Sequence, residues 1–207
     1  MKTAFALAAV AGIAVAATAQ DFEIYMVAPA TANPGDTYTV EVWGSISGGA
    51  WVDGTSAVAG FGIDAVAADG AAGVASIGNQ VFEAWASGFA TPGTVSGADL
   101  VGSSGGQLAN LFGFLNPSID MSNPIRLFTF DVTVADGFAG TITYTPANPN
   151  PNGGLSFYPV STDGASIIAP NDQGTTLTLT GASTTVVPAP ASLALLGLGG
   201  LVARRRR

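Results

Sequence analysis

Strict two-residue alternation, interrupted at short intervals by turns rich in glycine and proline, constrains this chain more than any other feature. Over residues 37–46, Tyr38, Val40 and Val42 fall on one side and Thr39, Glu41 and Trp43 on the other. Successive side chains of a strand point to opposite faces, so a period of two marks a half-buried strand. The pattern recurs at 22–28, where Phe22, Ile24 and Met26 oppose Glu23 and Tyr25. It recurs again at 125–134, with Phe128, Phe130, Val132 and Val134 inward. Residues 29–36 separate the first two strands, and Pro34 and Gly35 suit the central positions of a type II turn, where proline pre-sets φ and glycine accepts a positive one.

Weaker apolar segments at 57–66, 81–85, 108–115, 141–145, 155–160 and 175–180 read as further strands, with one short strand near Leu100 inside an otherwise loop-like stretch over 86–106. Asp136 and Gly137 are expected to close a hairpin between 125–134 and 141–145. Residues 146–154 carry too many prolines and glycines for a ladder. The 28 glycines, the sparse charge and the lack of an amphipathic helical stripe point to an all-β domain. Eight or nine strands at these spacings predict a two-sheet β-sandwich of jelly-roll type, with short apolar helices at both termini of the chain.

Both ends depart from the alternation. Lys2 precedes an uncharged apolar run over 4–17, and Ala17 and Ala19 put small residues at the −3 and −1 positions of a cleavage site before Gln20. That is the three-part layout of a secretory signal peptide. At the other end Val187, Pro188, Ala189 and Pro190 form a hinge, because proline locks φ and lacks the N–H that a ladder needs. Thirteen uncharged residues, 191–203, and the arginines Arg204, Arg205, Arg206 and Arg207 follow. As a helix, such a run reaches only roughly 20 Å, short of the about 30 Å of a hydrocarbon core, and the arginines would stop transfer on the cytoplasmic side. The expected organisation is a signal peptide over 1–19, one domain over 20–186 and a C-terminal segment over 187–207.

An ordinary short membrane tail is one reading of that segment. Its hinge, short apolar run and terminal arginine cluster also resemble the sorting signal of PEP-CTERM proteins, with Ala189 where that family usually carries Glu. The resemblance implies an exported bacterial protein, handled by the export machinery and cut by an exosortase-type protease. It further implies transient insertion in the cytoplasmic membrane through a short transmembrane helix, and association with exopolysaccharide or biofilm matrix at the cell surface. Within the body, Asn33-Pro34-Gly35-Asp36 leading into 37–42, and 124–134 followed by Gly137 and Gly140, are similar to the early and late strands of cohesin-like β-sandwich domains. Those domains occur on bacterial surfaces and bind a partner module.

With both ends set apart, the body over 20–186 carries fourteen acids and one cation, Arg126, a net charge of −13. Such a surface repels phosphate backbones and excludes nucleic acid as a partner. The chain has no cysteine and no histidine, and its body has no lysine. Thiol nucleophiles, His-based triads, Schiff bases and His-ligated zinc are therefore ruled out. A carboxylate pair is the catalytic chemistry left, as in glycoside hydrolysis. Glu41 and Glu83 are the candidates, although nothing in the sequence brings them together. The leading expectation is a non-enzymatic surface or matrix protein, the alternative a carbohydrate- or protein-binding module, and a carboxylate-dependent glycosidase comes third.

For glycan binding the candidates are Trp43 with Glu41, on the polar face of their strand, and Trp51 beside Asp53 in the glycine-rich loop over 47–55; a core role is the competing reading of each indole, and the favoured one for Trp85. A structural Ca²⁺ would draw on Asp163, Asn171 and Asp172, with Asp64 and Asp69 as a second cluster, the alternative being a hydrated acidic surface. Arg126 is expected to pair with a neighbour such as Asp120. Residues 175–185 read either as an alternating strand or as an O-glycosylated stalk.

Overall fold

In a computed structural model, which describes residues 19–150 and 153–187, the alternating segments become strands and stack into two sheets. The expected terminal helices, together with Ala17, Pro188, Ala189, Pro190 and Arg204 to Arg207, lie outside the described residues. In chain order the strands are β1 (Gln20–Val27), β2 (Thr31–Ala32), β3 (Thr37–Gly48) and β4 (Ala57–Asp69). Then come β5 (Val74–Phe82), β6 (Thr94–Ser96), β7 (Asp99–Gly106) and β8 (Ile125–Val134). β9 (Gly140–Ala147), β10 (Leu155–Tyr158), β11 (Thr175–Thr180) and β12 (Ala182–Val186) complete the set. Among the described residues no helix is long and apolar enough to cross a membrane.

The five-stranded sheet runs β11-β1-β3-β8-β5, and the seven-stranded sheet runs β2-β12-β9-β4-β7-β6 with β10 also pairing β4. β1 lies parallel to β11 and antiparallel to β3. The inward faces meet in one core that contains Phe22, Ile24, Val40, Phe128, Phe130, Tyr144 and Phe157. Ring contacts cross it: Phe61 to Phe128 at 5.7 Å, Phe130 to Tyr144 at 5.2 Å and Phe22 to Phe157 at 5.8 Å between centroids. Each fully buried ring of this kind contributes about 1.5–3 kcal/mol by leaving water. The Tyr144 hydroxyl donates to the carbonyl of Ala98, and burial pushes its pKa well above that of a free phenol.

The turn at Pro34-Gly35 forms as expected, with Gly35 at φ +81° and the Asp36 N–H returning to the Asn33 carbonyl at 3.1 Å. Several expectations change, among them that of a ladder-free 146–154: Pro146 and Ala147 end β9 and pair Ala65 and Asp64 of β4. Asp136-Gly137 does not close a hairpin: β8 already has β3 and β5 on its two edges, so the chain crosses to the other sheet, where β9 pairs β12 and β4. The strand expected at 81–85 is the end of the longer β5, and Trp85 lies beyond it. The short strand expected near Leu100 within 86–106 is there but longer, as β7, whose Asp-Leu-Val-Gly-Ser-Ser-Gly-Gly composition hides its alternation. Its glycines permit close approach, since a Cβ on Gly106 would lie 2.6 Å from the Ala59 carbonyl oxygen.

Residues 108–115 do not form the expected strand. They make a short 3-10 turn, Leu111–Gly113, with Phe112 at φ +59° and 83% exposed. The turn is tied instead by local polar groups, the Asn110 N–H to Ser161 O and the Asn116 amide to Leu108 O, both at 2.7 Å. At the C-terminal end β12 excludes a stalk over 182–186, because Thr184 and Val186 are buried and Thr184 Oγ1 donates to Pro29 O. Among the described residues the count is accordingly twelve strands rather than eight or nine.

Candidate functional site

Alternation sends Tyr25, Trp43 and Arg126 to the outer face of the five-stranded sheet, and strand register then lines them up. Thr180 of β11 lies opposite Tyr25 of β1, Tyr25 opposite Trp43 of β3, and Trp43 opposite Arg126 of β8. The register between β3 and β8 shifts at Val42/Trp43. The rings of Tyr25 and Trp43 are nearly parallel, with centroids 6.4 Å apart, and the Arg126 guanidinium carbon lies 5.8 Å from the indole centroid. Trp43 is thus flanked on one side by a phenol and on the other by a cation, an arrangement that the negative face of an indole favours.

Arg126 does not pair with Asp120. Its Nε donates to Glu83 at 2.6 Å and its Nη1 to Glu41 at 3.0 Å. Glu83 follows the end of β5 and Glu41 lies on β3, so the pairs tie together the three strands β3, β8 and β5. The hydrogen bond to Glu83, above all, raises the Arg126 pKa further, so the cation persists at any physiological pH. With its second oxygen Glu41 accepts the Trp43 indole N–H at 2.9 Å, which locks the ring. The Tyr25 hydroxyl is harder to ionise than a free phenol, through partial burial first and the charges of Glu23 and Glu41 second.

A segment over 116–124 borders this face because Asn123 stands in for a strand partner. Its amide donates to Ile46 O at 2.6 Å and its carbonyl accepts the Ile46 N–H at 3.0 Å. The result is a shallow hollow of about 350 Å³ walled by Trp43, Glu83, Trp85, Asp120, Pro124 and Arg126. Trp85 packs partly against the core and gives its indole N–H to Arg126 O at 2.9 Å.

The structure separates the two tryptophans expected to bind glycan. Trp51 folds back over the end of the sandwich, its ring 5.4 Å from Phe157 and its N–H on Asp53 at 2.8 Å. It follows the core reading and does not share a platform with Trp43. The structure does bring Glu41 and Glu83 together, on one guanidinium. Both serve there as acceptors, whereas general-acid chemistry needs a carboxyl that carries a proton toward the leaving group.

The calcium candidates are spent on backbone. Asp163 accepts the Ala165 N–H and Asp172 the Ala169 N–H, each capping a turn of its own loop, in which the exposed Asn171 also sits. Asp64 holds Gly102 N and the Asn148 amide, and Asp69 holds Gly70 N. Among the described residues no three acidic side chains gather as a cation cage. Sequence reasoning missed Tyr25 and Asn123 as parts of this site, and it named Glu83 as a carboxylate without placing it on Arg126. Of the two missed, only Tyr25 left a trace, as an aromatic on the polar face of an alternating strand.

No protein-family model matches this chain, and no curated protein is significantly similar to it.

Proposed function

We propose that this chain is a non-enzymatic exported protein of a bacterial surface or extracellular matrix, delivered by a signal peptide and sorted by a C-terminal signal that resembles an exosortase substrate. The supporting observation is the burial contrast at Gln20 and at Val186. Gln20 is itself buried, with its amide bonded to Ser47 O and Ala50 N, while Ala19 just before it is exposed. Val187 follows the buried Val186 and is exposed again. In sequence, the expected N-terminal cut thus directly precedes a buried residue, and the expected C-terminal cut lies just beyond the last buried one. Mass spectrometry of protein isolated from the cell surface should give a chain that starts at Gln20 and ends near Pro188 or Pro190. An intact Arg207 in that material would rule out the processing step.

A second reading, contact with extracellular polysaccharide, is favoured by Trp43. Its ring lies outside the core, on a face of hydroxyls and carboxylates that suits the many hydrogen bonds of a sugar chain. Because Tyr25 and Arg126 flank the indole, the face offers ring edges and polar groups rather than a bare stacking plate. Retention on matrix polysaccharide, measured for the wild type and Trp43→Ala, tests this. No retention of the wild type would dispose of it.

A further inference from the structure

A sheet edge carries unpaired backbone donors and acceptors, and proteins guard such edges with short strands, bulges or charge. Most edges of this sandwich are guarded in that way. β2 and β6 are two and three residues long, and β10 has four residues and an irregular register against β4. β5 has register shifts at two places and Asn79 at φ +48°. The exception is β11, Thr-Thr-Leu-Thr-Leu-Thr, which pairs β1 in unbroken register over six residues and contains no charge, proline or glycine.

Hydrogen-bond parity shows which groups β11 leaves over. Gln20 N–H donates to Gly174 O, so in this parallel pair the even-numbered residues of β11 turn their backbone groups toward β1. The odd-numbered residues Thr175, Leu177 and Leu179 turn theirs away. Thr175 N–H already donates to Asp172 O. Among the described residues, no backbone hydrogen bond outside the strand ladder engages Leu177 or Leu179. Their side chains pack half-buried against the core, while Thr176, Thr178 and Thr180 are exposed on the outer face.

We infer that β11 is a self-pairing edge, which takes β11 of a second copy of this chain in antiparallel register about a two-fold axis at Thr178. That register sets Leu177 opposite Leu179 of the copy twice over, so all four free backbone groups on each side find a partner. It also keeps both leucines on the core side and Thr176, Thr178 and Thr180 on the outer side, as a period of two requires. A register centred on Leu177 would call on Thr175, whose N–H is already used. Charge agrees with the choice of partner. Two bodies of net charge −13 repel one another, and β11 lets like copies meet without bringing an acid into the new ladder; β5 also lacks acids but has no unbroken register to offer. Because β5 is irregular, the sheet closes as a dimer instead of growing into a fibre.

The chain lacks cysteine, so a single introduced thiol reports the register. Across the axis the two copies of residue 178 form a non-hydrogen-bonded pair with Cα atoms about 4.5 Å apart, within reach of a disulfide, whereas the two copies of residue 176 are offset along the strands. Under mild oxidant in high salt, full-length Thr178→Cys is expected to run largely as a covalent dimer on a non-reducing gel. Thr176→Cys and the exposed control Ser96→Cys on β6 are expected to stay monomeric. Cross-linking of Thr178→Cys no faster than the control, or slower than Thr176→Cys, would overturn the assignment. Leu177→Pro removes the outward donor and leaves the ladder to β1 intact. Combined with Thr178→Cys, it should abolish the dimer band, and a band of undiminished intensity would also count against the pairing.

Discussion

Trp43 and Trp51 stand eight positions apart in the chain, and each gives its indole N–H to a carboxylate two residues away, Glu41 and Asp53. Locally they are near-equivalents. Trp43 sits at an outward position of β3, so strand geometry holds its ring on the outer face between Tyr25 and Arg126. Trp51 sits past the end of that strand, where the chain turns back and lays the ring on Phe157. The same residue with the same hydrogen bond therefore does two jobs. One indole closes the end of the core and the other furnishes a surface, and only what lies behind each ring distinguishes them.

Substitution is the most direct way to break this comparison. Trp51→Ala should cost about 2–4 kcal/mol in denaturant unfolding, because it opens a void against Phe157. Trp43→Ala should cost no more than about 1 kcal/mol, the cation–π contact and part of the packing. Equal losses would mean that Trp43 is as much a core residue as Trp51. Binding should rank the two the other way round. On matrix polysaccharide, Trp43→Ala is expected to lose retention, and Trp51→Ala to keep it while folded.

The carboxylate partners sharpen the contrast at lower cost. Glu41 also receives Arg126, so Glu41→Gln should destabilise by up to about 1 kcal/mol. Asp53→Asn should change stability by only a few tenths of that. Because the guanidinium and both carboxylates are about a third exposed, salt should shrink the Glu41→Gln effect. An effect unchanged in molar salt would show that the ion pair is not its source.

The smallest effect concerns a third carboxylate that holds backbone instead of an indole. Asp36 accepts the Asn33 N–H and side-chain amide, and those bonds lower its pKa, the backbone one most. A lowered folded-state pKa means stability that is present above the unfolded value of 3.8 and is lost as pH falls through the depressed one. Melting curves should thus separate wild type from Asp36→Asn at neutral pH and converge in acid. A gap that persists below both pKa values would assign the difference to something other than this carboxylate.

How far the fold was legible depended on side-chain contrast. β1, β3 and β8 alternate bulky apolar with polar residues, and their inward sets were readable directly. β5 and β7 mix a few apolar residues with Gly, Ser and other small or polar ones, so the two faces differ too little for a period to appear. The hairpin after β8 was misassigned because turn chemistry at Asp136-Gly137 is local, whereas the choice of partner depends on which edges are already filled. In the candidate site, Trp43 and Glu41 were legible from their outward phase. Glu83 was named as a carboxylate, but its place beside Arg126 was not legible, since it reaches Arg126 across 43 residues of chain through the register of β5 on β8.

The sequence by itself determined that this is an all-β body without cysteine, histidine or lysine, strongly acidic, with both faces of its strongest strands assigned. These follow from composition and from a period of two, properties that neighbouring residues share. The order of strands, the meeting of Glu41 and Glu83 on one guanidinium, the packing of Trp51 on Phe157 and the free edge of β11 were decided only by tertiary structure. Each depends on which strand lies beside which, and that is set by the packing of two sheets over one core, not by any segment alone.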